Sequence, residues 1–116
     1  MGALVQNSAA VTFQGVTATI THISYWSALT GGTFYVSDQL TTAQAVPARF
    51  EVDNLLLRVP DSTGVSNASD IIGLNARAAA MTHVQAHSGD PGTAGTANII
   101  TGLSRQAVSW KTAAGE

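Results

Sequence analysis

Three histidines and one short loop hold the residues whose types and spacing could do chemistry. His83 and His87 are four positions apart. On a helix that spacing would set two imidazoles side by side for zinc, whereas on a strand they share a face but stand about 13 Å apart. Thr82, Val84 and the Pro91-Gly92 turn favour the strand, so no metal is expected. Ser88, His87 and Asp90 could supply a hydrolytic triad on paper. Three adjacent loop residues do not easily reach the mutual geometry of nucleophile, base and orienting acid. Asp90 before Pro91 reads instead as a residue that closes a turn through its own side chain. His22, between Thr21 and Ile23, reads as a hydrogen-bonded partner near the core or at a subunit contact rather than as a catalytic base.

No nucleophile elbow, phosphate loop or paired-carboxylate motif appears, and neither Gly31-Gly32 nor Gly89 to Gly95 sits in a strand-loop-helix unit. An enzyme is not expected, and no cofactor is implied. Tyr25, Trp26, Tyr35 and Trp110 admit two readings. Flat rings on strands can line a sugar-binding face, but they more often anchor a core or an interface, and the interface is favoured here. Together with His22 they are the candidates for a subunit contact or a glycan site.

Five Lys and Arg residues, at 49, 58, 77, 105 and 111, form no basic stripe, and the net charge is −2. Nucleic acid is therefore not an expected partner. The chain has no cysteine, which excludes a disulfide framework and a thiolate metal site. No apolar run approaches the length of a membrane span, and the first residues lack the pattern of a signal peptide. The 116 residues are 45% hydrophobic but only 10% charged, against roughly a quarter charged in an average soluble domain. The surface must then be built largely from Thr, Ser, Ala, Gln and Asn, which lose water more cheaply than charges do and suit subunit contacts. One domain spanning residues 1–116 fits this length.

Period-two alternation dominates the chain. Strands are expected from Ala9 to Gln14 and from Thr17 to Trp26, the second covered on both faces because both carry large apolar groups. Leu29-Thr30-Gly31-Gly32 makes a hairpin turn into a partner strand, Thr33 to Ser37. A less regular connection follows from Asp38 to Pro47, with a short strand at Thr41 to Val46. Phe50 and Val52 point one way, and Leu55, Leu57 and Val59 resume after a phase slip at Asp53-Asn54. Residues 61–68 read as a polar connector. A helix begins at Ser69 or Asp70 with Ile71, Leu74, Ala78 and Met81 on one stripe. Strands follow at Thr82 to His87 and Arg105 to Trp110, the latter with Gln106, Val108 and Trp110 on one face. One short helix among about seven strands predicts a mainly β fold, an antiparallel, jelly-roll-like β-sandwich, with an open barrel as competitor. Phe13, Ile23, Phe34, Val52, Leu55, Leu57 and Val108 are the expected core.

The segments His87 to Gly92 and Ser104 to Trp110, and then Asn7 to Phe13 and His22 to Phe34, resemble a family of small phage proteins. These come from phages of actinobacteria and related hosts and are labelled tail-fibre-like or minor structural proteins. The resemblance covers nearly the whole chain but in exchanged order: residues 2–60 resemble the family's second half and 69–116 its first. It implies a circularly permuted chain, engineered or native, in which joining Ala113-Ala114-Gly115-Glu116 to Gly2-Ala3-Leu4-Val5 restores a small-residue loop. It also implies a non-enzymatic virion component that self-associates, a homotrimer, either as capsid decoration (cement) or as part of the tail, in contact with other virion proteins. The alternative is a receptor-binding module of a tail fibre that uses its aromatic face on host glycans.

Overall fold

A computed structural model describes residues 2–59, 64 and 66–115. Among them the fold is mainly β, with antiparallel sheets and one helix, as the alternation predicts. The eight residues of β3 (Thr19–Trp26) form its axis. β3 pairs on one side with β4 (Phe34–Ala45) and on the other with β7 (His83–His87), which pairs in turn with β8 (Gln106–Ala107). From Ile23 to Trp26 every side chain of β3 is buried, so the expectation of a strand covered on both faces holds.

A second sheet places β1 (Ala3–Gln6) between β6 (Leu56–Val59) and β9 (Ala114–Gly115), all antiparallel. Alternation of buried Ala3 and Val5 with half-buried Leu4 and Gln6 turns one face of β1 inward. Ala3 stands opposite Gly115 and Leu4 opposite Ala114, so β1 and β9 lie side by side. A small third sheet pairs β2 (Val11–Phe13) with β5 (Ala48–Phe50), where the Phe13 and Phe50 rings meet edge to face at 6.1 Å. The three sheets and the helix contribute to one cluster of buried apolar side chains, a sandwich-like arrangement.

The helix, α1 (Asn67–Ala80), starts two residues before Ser69. Its cap is Ser66, whose hydroxyl accepts from the Ser69 amide at 3.1 Å. Leu74 and Ala78 are buried as the apolar stripe requires, and α1 packs on β1, β6 and β9. Of the expected connector, residues 61–63 and 65 lie outside the described residues.

Several expectations are corrected. Val52 is 43% exposed and Phe34 half-buried, so neither belongs to the core, whereas Phe13, Ile23, Leu55, Leu57 and Val108 do. The turn begins at Val52, one residue before the expected slip, and Asp53 takes a positive φ of 72°. The irregular connection after Ser37 is absent, because β4 continues to Ala45. Its irregularity is a bulge, in which Thr21 alone stands opposite the four residues between Gln39 and Gln44. The last expected strand shrinks to Gln106–Ala107 and a single bridge from Trp110 to Asn7.

Asn7 explains how the sheets are joined. Wholly buried, it donates through Nδ2 to the carbonyls of Ala9 (2.8 Å) and Glu51 (2.9 Å) and accepts from the Leu55 amide at 2.9 Å. One side chain thus satisfies three backbone groups at the junction of β1, β2 and the turn after β5.

Candidate functional site

The four aromatic candidates do not form one surface. Tyr25 and Trp26 are neighbours on β3 and therefore face opposite ways. Tyr25 is wholly buried, its ring 5.4 Å from that of half-buried Trp110, whose indole N–H donates to the Met81 carbonyl. Burial, and then the Asp38 carboxylate, push the Tyr25 phenol well above its ordinary range, so it stays protonated. Among the described residues its hydroxyl has no hydrogen-bond partner.

Trp26 lies on the other face, 6% exposed, with its ring 5.4 Å from Phe34 and the Arg105 guanidinium 3.9 Å above it. Arg105 also donates to Gln85 Oε1 at 3.0 Å and, through Nη1, to the carbonyls of Ala28 (2.8 Å) and Gly31 (2.7 Å). It pins the turn after β3 to β7. Tyr35, on β4, is the exposed member of the four, at 45%. His22 is half-buried, with Nδ1 2.9 Å from Thr21 Oγ1.

The arrangement closest to catalytic geometry was not visible in sequence. Ser24 Oγ lies 2.6 Å from His87 Nε2, and His87 Nδ1 lies 2.9 Å from the Ala97 carbonyl. A carbonyl only accepts, so Nδ1 carries the proton, Nε2 is the acceptor, and the Ser24 hydroxyl donates to it. Trp26 Nε1 donates to the same hydroxyl at 2.8 Å. A serine facing an oriented imidazole is the start of a nucleophile-base pair. Here both residues are 0% exposed, so no substrate reaches the hydroxyl, and the pair acts as a polar lock between β3 and β7.

Other groups named from sequence fall into place. His83 and His87 share one strand, with His83 opposite Trp26 and His87 opposite His22. Asp90 Oδ1 accepts from the Gly92 amide at 2.9 Å, closing its turn. Ser88 is exposed, next to that turn rather than opposed to a base.

The most open surface is β4. Most of its twelve residues are exposed, and among the described residues it pairs with β3 alone. Between β4 and the turn leading into β6 lies a cleft of about 470 Å³, with Ile23, Val36, Asp38 and Leu40 on one side and Leu57 and Arg58 on the other. Sequence reasoning shortened this strand because a strand exposed on both faces has no apolar alternation.

Comparison with known proteins adds one likeness. A family described as podophage GP4 fiber I protein gp80 matches residues 1–54, a little under half of the chain. The matched part contains β1 to β5. No curated protein and no solved structure matches. The likeness supports a phage tail-fibre-like structural protein, associated with the virion.

Proposed function

We propose that this chain is a non-enzymatic structural subunit of a phage tail fibre, which associates with copies of itself and with other virion proteins. The observation that carries this reading is the likeness of residues 1–54 to a podophage fibre protein. It favours a fibre over a capsid-decoration role. The chemistry agrees, because the Ser24–His87 pair is sealed and three of the four aromatic candidates are committed to packing. A stacked sugar platform built from Tyr25, Trp26, Tyr35 and Trp110 has only Tyr35 well exposed. The permuted order belongs to the same proposal, supported by the pairing of Ala3 with Gly115, since permutation needs the joined segments close together.

Self-association follows from the low charge and the open strand. The number of copies depends on the surface used: a homotrimer needs a head-to-tail contact, and a dimer a self-complementary one. Light scattering on the purified chain, with glycan-array binding alongside, tests the reading. A stable oligomer without glycan signal is expected. A monomer that binds sugar would replace it with the receptor-binding alternative.

A further inference from the structure

We propose that the loop from Ser88 to Ile99 is an acid-released cover: a proton on His87 lifts it from the sheet while the strands beneath stay paired. This inference goes beyond the fibre reading and does not depend on it. The three histidines of the chain stand on one face of the four-stranded sheet, because His22 is opposite His87 and His83 lies four residues back on the same strand. The loop lies over that face. At its base His87 bridges to Ile99, the Ser88 amide donates to the Asn98 carbonyl at 2.9 Å, and the Ile100 amide donates to the Ala86 carbonyl at 3.4 Å. Two further contacts hold it down. The Ala97 carbonyl accepts from His87 Nδ1, and Gly95 rests so closely on the Phe34 ring that a side chain there would collide with it.

Only the neutral ring fits these partners. The Ser24 hydroxyl donates to His87 Nε2 at 2.6 Å and accepts from Trp26 Nε1 at 2.8 Å. A proton on Nε2 makes it a donor, so two donors then face each other, and the serine hydrogen must turn away from an oxygen that Trp26 already donates to. The charge also meets no carboxylate. On this face β3 carries His22, β7 carries His83 and Gln85, and β4 carries Gln39, Ser37 and Phe34. Arg105 enters just before β8, which holds only Gln106 and Ala107. His22 and Arg105 both disfavour a charge on the ring, and burial disfavours it more. Asp90, the one charged residue of the loop, is taken up by the Gly92 amide, and Asp38 stands on the opposite face, across from Ile23.

The loop yields before the sheet does. Lifting Ala97 off the ring admits water at the cost of the few contacts named above, whereas parting β3 from β7 breaks five register pairs and the packing of Trp26 on Phe34. With the loop open, His87 takes its proton near the free histidine value of about 6.5, and with the loop closed only at lower pH. Closure is therefore complete above that value and weakens as pH falls below it. Release uncovers the Phe34 ring and lets water reach Ser24.

Amide hydrogen exchange, followed by NMR on the full chain and corrected for intrinsic rates, tests this. From about pH 6.5 to pH 5 the protection of the Ser88 and Ile100 amides should fall about tenfold per pH unit. At each pH it should stay at least about tenfold below that of Ile23 and Tyr25 on β3, which is paired on both sides. His87→Gln should abolish the slope, and His83→Gln should keep it. Gly95→Ala gives a reading independent of the His87 variant: the collision with Phe34 should open Ser88 and Ile100 already near pH 7 while β3 still exchanges slowly. Protection at Ser88 and Ile100 that stays level over this range, or a slope that survives in His87→Gln, overturns the switch. Loop and β3 amides that exchange through one common opening, in the wild type and in Gly95→Ala, overturn the cover.

Discussion

Ser24 and His87, 63 positions apart in the chain, are joined by a 2.6 Å hydrogen bond in the interior, with the His87 ring held neutral between the Ser24 hydroxyl and the Ala97 carbonyl. Burial lowers the His87 pKa most; the Ala97 carbonyl opposes this, and His22 and Arg105 add to it. Stability should therefore be complete above the unfolded histidine value, about 6.5. It should fall as pH drops from there toward the lowered folded value, because in that window the unfolded chain binds the proton and the folded one does not. Thermal unfolding from pH 8 to pH 4 should show this decline, and His87→Gln should flatten the part due to the ring. A melting temperature in the wild type that does not change between pH 7 and pH 5 would remove the lock.

Leu57 and Val52 test the phase of the strands. Leu57 is buried and Val52 43% exposed. Leu57→Ala should cost about 2–5 kcal/mol in urea unfolding, and Val52→Ala less than about 0.5 kcal/mol. Equal costs would mean that the turn at Asp53 is misplaced.

The contrast between these two residues also marks how far the sequence could be read. β3, β7 and the helix stripe were legible because each carries its period over several residues with one or both faces covered, as in Ile23 to Trp26. β1 was not, because Ala3 and Val5 give too little apolar contrast to distinguish a buried strand from a small-residue loop. Val52 alternates with Phe50 but falls in a turn that Asp53 makes with a positive φ. Ser24 could not be matched with His87, since strand pairing between distant segments leaves no local signal. Of the candidate site residues, Trp26 and Trp110 were read as anchors of an interface or a glycan site and instead pack within the chain, whereas Arg105, which ties Trp26 to the turn at Ala28 and Gly31, carried no spacing that pointed to it.

Asn7→Ala should destabilise the chain by about 3 kcal/mol, because it strands the Leu55 amide and the Ala9 and Glu51 carbonyls away from their partner. Asn7→Asp should be no better, as a carboxylate cannot donate to the two carbonyls. Denaturant titration of both variants measures this, and a loss under about 0.5 kcal/mol would refute the junction role.

Arg105→Lys should not behave as a conservative change. A lysine keeps the charge over Trp26 but not the planar fork that reaches Gln85, Ala28 and Gly31 together. A loss of about 1–3 kcal/mol is expected, together with faster amide exchange in the turn from Ser27 to Thr33. Unchanged exchange there would show that the turn holds without the guanidinium.

Immunogold electron microscopy of intact virions, with antibody raised against this chain, tests most directly where it works. Gold on the tail fibres is the expected result. Gold spread over the capsid shell, or virions that carry no label, would contradict a fibre subunit.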